Sequence, residues 1–347
     1  MELQPKHIQA PQVYGNFWFN TDPISLRDLQ GENVVLLDFW DYSNINCIRS
    51  IPYIKEWYRK YREFGLVIIG VHTPEFKFGR NQDVIQRALK DFGIGYPVVA
   101  DNDAIVWSAY GVRFWPTRVL VDVDGFMRFV QHGETGYLEI ERAIHQLLGE
   151  AGYRGELPEL TKPIRDTDEP GVAVYQTTRD MHLGYLKGTM GNPEGFSPES
   201  TVELVDSGVH LAERFYLNGK WMSEKDFFCY DGLSGEEGTI TFQYGAREVN
   251  AVMNSKSSHR FEVIVHQDDQ PLSRRNAGSD VVLLGSKKSV VYVDAPGLYH
   301  IVKNPTFENH TLKLTVTNPG VEIYTFSFVS AVIPEVVPSN PASFGVN

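Results

Sequence analysis

The sequence predicts two folds in one chain: an α/β domain with a mixed sheet and helices on both faces, then an all-β sandwich. Three observations predict this. Between residues 34 and 148, short apolar runs alternate with segments of helical spacing, as in a sheet whose strands are joined by helices. From 149 to 172 the composition turns to glycine, proline and charge (Gly149, Gly152, Gly155, Pro158, Pro163, Pro170, Gly171), which reads as a linker. Beyond it helical periodicity nearly vanishes and period-two alternation takes over, the pattern of packed antiparallel strands. The expected division is 1–149 for the α/β domain, 150–172 for the linker, 173–332 for the sandwich and 333–347 for a Pro/Ser tail.

Each element has a local reason. Residues 1–30 are a polar and aromatic lead-in with one short strand. Val34–Phe39 is a near-continuous apolar run, as expected of a strand buried on both faces. An abrupt polar turn follows. A helix then runs from about Cys47 to Phe64, with Ile51, Ile54, Trp57, Tyr58 and Tyr61 at helical spacing and Gly65 as its stop. Leu66–Val71 is a second buried strand, 81–92 an amphipathic helix, Tyr96–Ala100 a short strand and 103–110 a turn or two of helix. Phe114–Asp122 is a strand entered through Trp115-Pro116. Asp124-Gly125 signals a hairpin into Phe126–Val130, and Tyr137–Leu148 closes the domain as a helix. The sandwich strands are expected at Thr239–Tyr244, Val249–Met253, Phe261–Val265, Ser289–Val293, Leu312–Val316 and Tyr324–Phe328.

The totals exclude several classes of function. A net charge of -12 over 347 residues argues against nucleic acid or an anionic membrane as partner. No apolar run is long enough for a spanning helix. The first residues carry neither a basic nor an apolar leader region, so the chain is expected in the cytoplasm unless a leader has been removed. The two cysteines, Cys47 and Cys229, fall in different domains, and neither a disulfide scaffold nor a cysteine-based zinc site can be built from them. His72, His132 and His182 lack metal-ligand spacing, so no metal and no other cofactor is expected.

The chemistry concentrates in Asp38 to Pro52. Cys47 opens a helix fed by a strand through a tight turn, where helix dipole and free N–H groups stabilise a thiolate. A buried, inert cysteine is the alternative. Asp38 lies inside the apolar strand, where it is either a desolvated proton acceptor or a strand-end carboxylate bonded to backbone amides. Asn44 stands near the helix N-cap, a position that favours asparagine. In the second domain Tyr216, Trp221, Phe227, Phe228 and Tyr230 cluster. They form either an aromatic platform for a sugar ring or the core of the sandwich, and Cys229 among them is an apolar filler.

Together these residues carry a resemblance. Leu37-Asp38-Phe39-Trp40, a turn, a cysteine and a helix, followed later by Trp115-Pro116-Thr117, resemble the thioredoxin family. Closer in, Asp38-Phe39-Trp40-Asp41-Tyr42-Ser43-Asn44-Ile45-Asn46-Cys47, Ile51-Pro52-Tyr53, His72-Thr73-Pro74-Glu75-Phe76, Asp101-Asn102-Asp103 and Gly133-Glu134 resemble the TlpA group of thiol–disulfide oxidoreductases and, within it, DipZ-like proteins. Gly320–Phe326 resembles the closing strand of the jelly-roll sandwich appended in those proteins, which is similar to carbohydrate-binding modules.

The resemblance implies a thioredoxin fold, protein thiols or disulfides or an extended peptide as partners, and a membrane redox partner of CcdA type. It also implies a place on the outer side of the membrane and, at the sandwich, a carbohydrate held by Trp221, Tyr216 and Tyr230. It puts Cys47 at the resolving-cysteine position, Asp38 at the buried acid and Pro116 at a cis-proline. Trp40, Tyr42, Ile45, Asn46, Trp115 and Thr117 would flank the substrate groove. Asn44 stands where the nucleophilic cysteine belongs, and an amide cannot begin or resolve a disulfide exchange. The readings left open are single-thiol chemistry at Cys47, a redox-inactive binding module for extended peptide or glycan, and a one-cysteine peroxidase. The peroxidase would need a threonine where Asn44 stands and a proline where Trp40 stands.

Overall fold

Val34–Trp40 forms the centre of the first sheet because every side chain in it is covered. The computed structural model describes residues 3–256 and 260–333, in two units that meet between Asp168 and Glu169. In the first unit, β1 (Phe17–Phe19), β2 (Val34–Trp40), β3 (Leu66–His72), β4 (Val98–Ala100), β5 (Thr117–Val121) and β6 (Met127–His132) lie in the order β1-β4-β3-β2-β5-β6. The pairs β2–β3 and β3–β4 are parallel and the others antiparallel. The helices are α1 (Ile45–Tyr61), α2 (Gln82–Asp91), α3 (Ile105–Ala109) and α4 (Tyr137–Glu150).

Strand alternation sorts β2 between two cores. Val34, Leu36 and Trp40 pack with α1, α2 and α4, while Val35, Leu37 and Phe39 pack with Val106 of α3. By the same alternation Asp38 belongs to the face covered by α1 and α4.

The helix expected from about Cys47 starts earlier, at Ile45, because Asn44 caps it. Residues 161–168, within the expected linker, are tied to the first unit instead. Thr161 N–H donates to the buried Glu141 carboxylate at 2.7 Å and Ile164 N–H to the Tyr53 hydroxyl at 2.7 Å. These buried acceptors need donors, and the chain leaving α4 supplies them.

In the second unit every pairing between the strands named below is antiparallel, and two isolated bridges, Met190 with Phe215 and Pro198 with Ser223, are parallel. Its strands are β7 (Met181–His182), β8 (Ser200–Leu204), β9 (Phe215–Ser223), β10 (Phe228–Tyr230), β11 (Gly238–Ser255), β12 (Phe261–Gln267), β13 (Gln270–Pro271), β14 (Val281–Leu284), β15 (Lys288–Val293), β16 (Gly297–Val316) and β17 (Val321–Val329). They form one sheet in the order β14-β15-β12-β16-β11-β17-β10-β9-β8, with β13 on β12 and β7 on β17. The sheet folds back on itself through β11. Its first half pairs with β9, its second half with β17, and β10 bridges those two partners. The strands expected at 239–244 and 249–253 are thus one strand, with irregular register between Ala246 and Asn250, where a bulge bends it. The tail expected at 333–347 lies, from 334 on, outside the described residues. Among the described residues no helix is long and apolar enough to cross a membrane.

Candidate active site

The turn from β2 into α1 is built on Asp41, which is buried. Its carboxylate accepts the Ser43 N–H at 3.1 Å, the Ser43 hydroxyl at 3.0 Å and the Glu75 N–H at 3.0 Å, and lies 3.4 Å from Nε2 of His72. Burial opposes its charge, but His72 and the Glu75 and Ser43 amides outweigh it and hold the carboxyl below its ordinary range. His72 ends β3 and is itself fully buried, stacked on Tyr42 and edge-on to Trp40. One carboxylate therefore ties together the β2–α1 turn and the loop after β3.

Asn44 then caps α1. Its Oδ1 accepts the N–H of Asn46 at 3.0 Å and that of Cys47 at 3.4 Å, satisfying donors that a first helical turn leaves free. Cys47 follows inside that turn, 1% exposed, its sulfur accepting the Asp41 N–H at 3.4 Å. Burial pushes the thiol well above its ordinary range. The Asp41 N–H and Arg118 pull it down, and the Asp38 and Asp41 carboxylates push it further up. The helix start does not make an accessible thiolate here, because the sulfur is one turn too deep for solvent to reach it.

Beneath it, Asp38 on β2 faces Arg118 on β5 in register, with Arg118 Nε 3.2 Å from Asp38 Oδ1. Burial pushes the Asp38 carboxyl up and Arg118 pulls it back in part. The Trp115-Pro116 peptide opening β5 is cis. Trp115 is half-buried, donates Nε1–H to the Thr73 carbonyl at 3.0 Å and packs on Trp107. Phe114 beside it is exposed.

On the flank of α1, Glu134 accepts Arg49 Nε–H through both oxygens (2.8 and 2.9 Å) and lies 2.7 Å from Arg165. Arg165 also donates to the Arg49 carbonyl at 2.8 Å and to both oxygens of Asp168 at 2.9 and 3.0 Å. Asp168 accepts the Tyr53 hydroxyl at 2.8 Å, and the Tyr53 ring stacks on Tyr137 at 3.7 Å.

The structure thus gathers Asp38, Asn44 and Cys47 at the start of α1, with Pro116 buried at the entry of β5. Of the residues expected to flank a groove, Ile45, Asn46 and Trp115 are half-buried, whereas Trp40, Tyr42 and Thr117 are buried. Those three serve packing: Trp40 and Tyr42 enclose His72, and the Thr117 hydroxyl donates to the Phe114 carbonyl at 2.8 Å.

The aromatic platform expected from Trp221, Tyr216 and Tyr230 is corrected. All three are buried. Strand alternation turns Trp221 and Tyr230 into the core cluster, while Tyr216, on the other face of β9, packs on His210 at 4.8 Å, and the polar ends of all three find backbone partners. Trp221 Nε1–H donates to the Asn218 carbonyl and the Tyr230 hydroxyl to the Glu236 carbonyl, while the Tyr216 hydroxyl accepts the Leu211 N–H.

Sequence reasoning missed Asp41 with its partner His72, Arg118, and the Arg49–Glu134–Arg165–Asp168 chain. A charged residue inside the apolar run Thr117–Val121, opposite another inside Val34–Trp40, was the available signal for Arg118.

Residues 178–328 match the family described as the thioredoxin-like C-terminal domain, and residues 8–130 match the AhpC/TSA family. The chain is 29% identical over 325 residues to Protein DipZ of Mycobacterium tuberculosis, an alignment that spans 92% of this chain and 42% of DipZ. In its two units the chain matches the TlpA/DipZ-like pattern of the thioredoxin family. The two-domain order runs through the whole alignment with DipZ, although the chain spans less than half of DipZ's length. The chain is also 34% identical over 104 residues to the thiol-disulfide oxidoreductase ResA of Halalkalibacterium halodurans, covering 30% of this chain and 56% of ResA. It is 40% identical over 120 residues to NHL repeat-containing protein 2 of Homo sapiens, covering 34% of this chain and 16% of that protein. The scaffold is that of a thioredoxin-family thiol–disulfide oxidoreductase.

Proposed function

We propose that the first unit is a thioredoxin scaffold whose disulfide exchange is switched off, and that it holds extended segments of thiol- or disulfide-bearing proteins beside Pro116 without reacting with them. One observation carries this reading. The only cysteine of the unit, Cys47, is 1% exposed, and the residue at the nucleophile position, Asn44, is engaged in capping α1. Exchange needs an accessible thiolate to attack and a second thiol to resolve. Neither is present. Single-thiol chemistry and a one-cysteine peroxidase fare worse on the same ground, since sulfenic acid formation follows thiolate character and exposure. The class of partner comes from relatives such as ResA, whose name states thiol–disulfide chemistry. An extracytoplasmic place follows from the same resemblance. A CcdA-type electron donor serves a cycling dithiol, so this chain needs none.

The test compares the native chain with Asn44→Cys in insulin disulfide reduction, and measures Cys47 labelling by Ellman's reagent in the folded state. The expected result is no reduction and slow labelling for the native chain, with reduction gained on Asn44→Cys. Insulin reduction by the native chain, or labelling as fast as that of a free thiol, would overturn the reading. Calorimetry with carboxymethylated insulin B chain then tests the groove. Binding by the native chain supports it, and no heat removes the binding-module role.

A further inference from the structure

Asp38 and Arg118 are directly opposite residues on β2 and β5, their side chains 3% and 0% exposed and 3.2 Å apart. The contact lacks the alignment of a hydrogen bond, so the attraction is chiefly Coulombic. Arg118 is held from other sides as well. Its Nη1–H donates to the Gly133 carbonyl at 3.4 Å, and its guanidinium lies 5.5 Å from the centre of the Tyr137 ring.

In a resolving step the Cys47 thiol must lose its proton, and Asp38 is the buried carboxylate on its side of the sheet. A carboxylate takes that proton when burial raises its proton affinity. Burial does raise Asp38, and the guanidinium at contact distance, charged at any ordinary pH, takes back part of that rise. We propose that Arg118 is a positioning residue that holds Asp38 as an ion-paired carboxylate, so that the site is weakened at its base as well as changed at its nucleophile. The inference rests on the reading of position 44 above and extends it. Restoring the cysteine alone yields a slow enzyme, because the proton acceptor remains engaged. The other titratable groups around the pair are the Cys47 thiol on α1, Asp41 in the turn, Tyr96 ahead of β4 and Tyr137 on α4.

Two measurements test this in the full chain. The first leaves Asn44 in place and follows the Asp38 carboxyl by carbon NMR against pH, with and without Arg118→Met. The Asp38 midpoint moves up by about one pH unit or more without Arg118, and an unmoved midpoint overturns the proposal.

The second uses Asn44→Cys with glutathione preloaded on the introduced sulfur, and times glutathione release against pH. In that step Cys47 gives its proton to Asp38. Its sulfur bonds to the introduced sulfur, and glutathione leaves with the electron pair of the broken S–S bond. Asn44→Cys/Arg118→Met releases glutathione at least about tenfold faster than Asn44→Cys near neutral pH, and adding Asp38→Asn removes the gain. Equal rates with and without Arg118 overturn the proposal.

Should Arg118→Met fail to fold, Asn44→Cys/Asp38→Asn decides. An unchanged rate supports an idle Asp38, and a tenfold drop shows Asp38 working despite Arg118 and overturns the assignment. An Asn44→Cys chain that takes up no glutathione sinks the reading of position 44 instead, and the NMR titration alone then decides for or against Arg118.

Discussion

Both units bury large aromatic side chains, but the first adds a cluster of buried charge to them. In the first, Asp38, Asp41, His72 and Arg118 lie almost wholly inside, gathered where β2 and β3 end, α1 begins and β5 enters. In the second, the deepest large side chains are Phe215, Trp221, Phe228, Tyr230 and Phe242. Burying charge costs several kcal/mol per ion before pairing repays it, whereas burying aromatic surface stabilises outright. A fold that places four charged or titratable groups at one end of a sheet is holding something other than stability there. The same thiol chemistry tells the units apart only by position. Cys229, between Met222 and Glu322 of its neighbouring strands, is buried with its thiol pushed up to about 12, and Cys47 is pushed up as well but sits beside the Asp38–Arg118 and Asp41–His72 pairs at the helix start.

The strongest way to break this contrast is to empty the aromatic core. Trp221 is fully buried and packs edge-on against Tyr230 at 5.2 Å. Trp221→Ala removes that volume and should cost about 3–5 kcal/mol, read as a lower midpoint in urea followed by near-UV circular dichroism. A cost under about 1 kcal/mol would mean that the second unit does not depend on this cluster.

Breaking the polar cluster comes next. Asp41→Ala deletes three hydrogen bonds and the partner of His72, and should cost about 3 kcal/mol. It also has a pH signature. The Asp41 carboxyl is held below its ordinary range in the folded chain, so the folded state binds that proton less tightly than the unfolded chain does. Its contribution is complete above about pH 4 and is lost as pH falls through the folded value. The native chain should therefore lose stability in acid more steeply than Asp41→Ala. Asp38 works in the opposite sense, because its folded-state carboxyl is raised, and it softens that slope. Parallel acid curves for the two chains would contradict the Asp41 assignment.

These predictions rest on features that differ in how legible they were. The seven-residue strand from Val34 was plain, because a run covered on both faces has to be apolar nearly throughout, Asp38 being its exception. Trp115-Pro116 could be located, and its geometry came only with the resemblance. The Asp38–Arg118 and Asp41–His72 pairs were hidden, since each depends on strand register or loop placement that no local spacing encodes. Phe215–Ser223 was seen as an aromatic cluster rather than a strand, because its inward and outward residues, such as Tyr216 and Leu217, are both apolar and both buried, which erases period two. Gly149 to Pro163 read as a linker, and Glu141 and Tyr53, which tie part of it down, lie far away in sequence.

A smaller effect sharpens the contrast between the thiols. In both cysteines burial raises the thiol, so each contributes stability that is full below about pH 8.5 and is lost as pH rises toward the folded values. Cys47→Ala and Cys229→Ala should each flatten the alkaline limb of stability against pH, in proportion to the shift removed. An alkaline limb unchanged in both variants would show that neither thiol is as enclosed as the structure has it.

The smallest effect bears most directly on position 44. The Asn44 side chain accepts two N–H groups of α1, so Asn44→Ala should cost about 1 kcal/mol in urea titration. Asn44→Asp should cost less, because a carboxylate accepts the same donors and its charge favours the positive end of the helix. The comparison with Asn44→Cys is the informative one. A thiol is a weak acceptor, so the variant that carries a thiol there should lose about as much as alanine does. On the proposed reading, the residue at the head of α1 trades helix capping against nucleophilic chemistry, in a unit whose buried charges lie around Cys47. If Asn44→Ala proves as stable as the native chain, the capping role fails, and position 44 has to be explained by what it contacts in a partner.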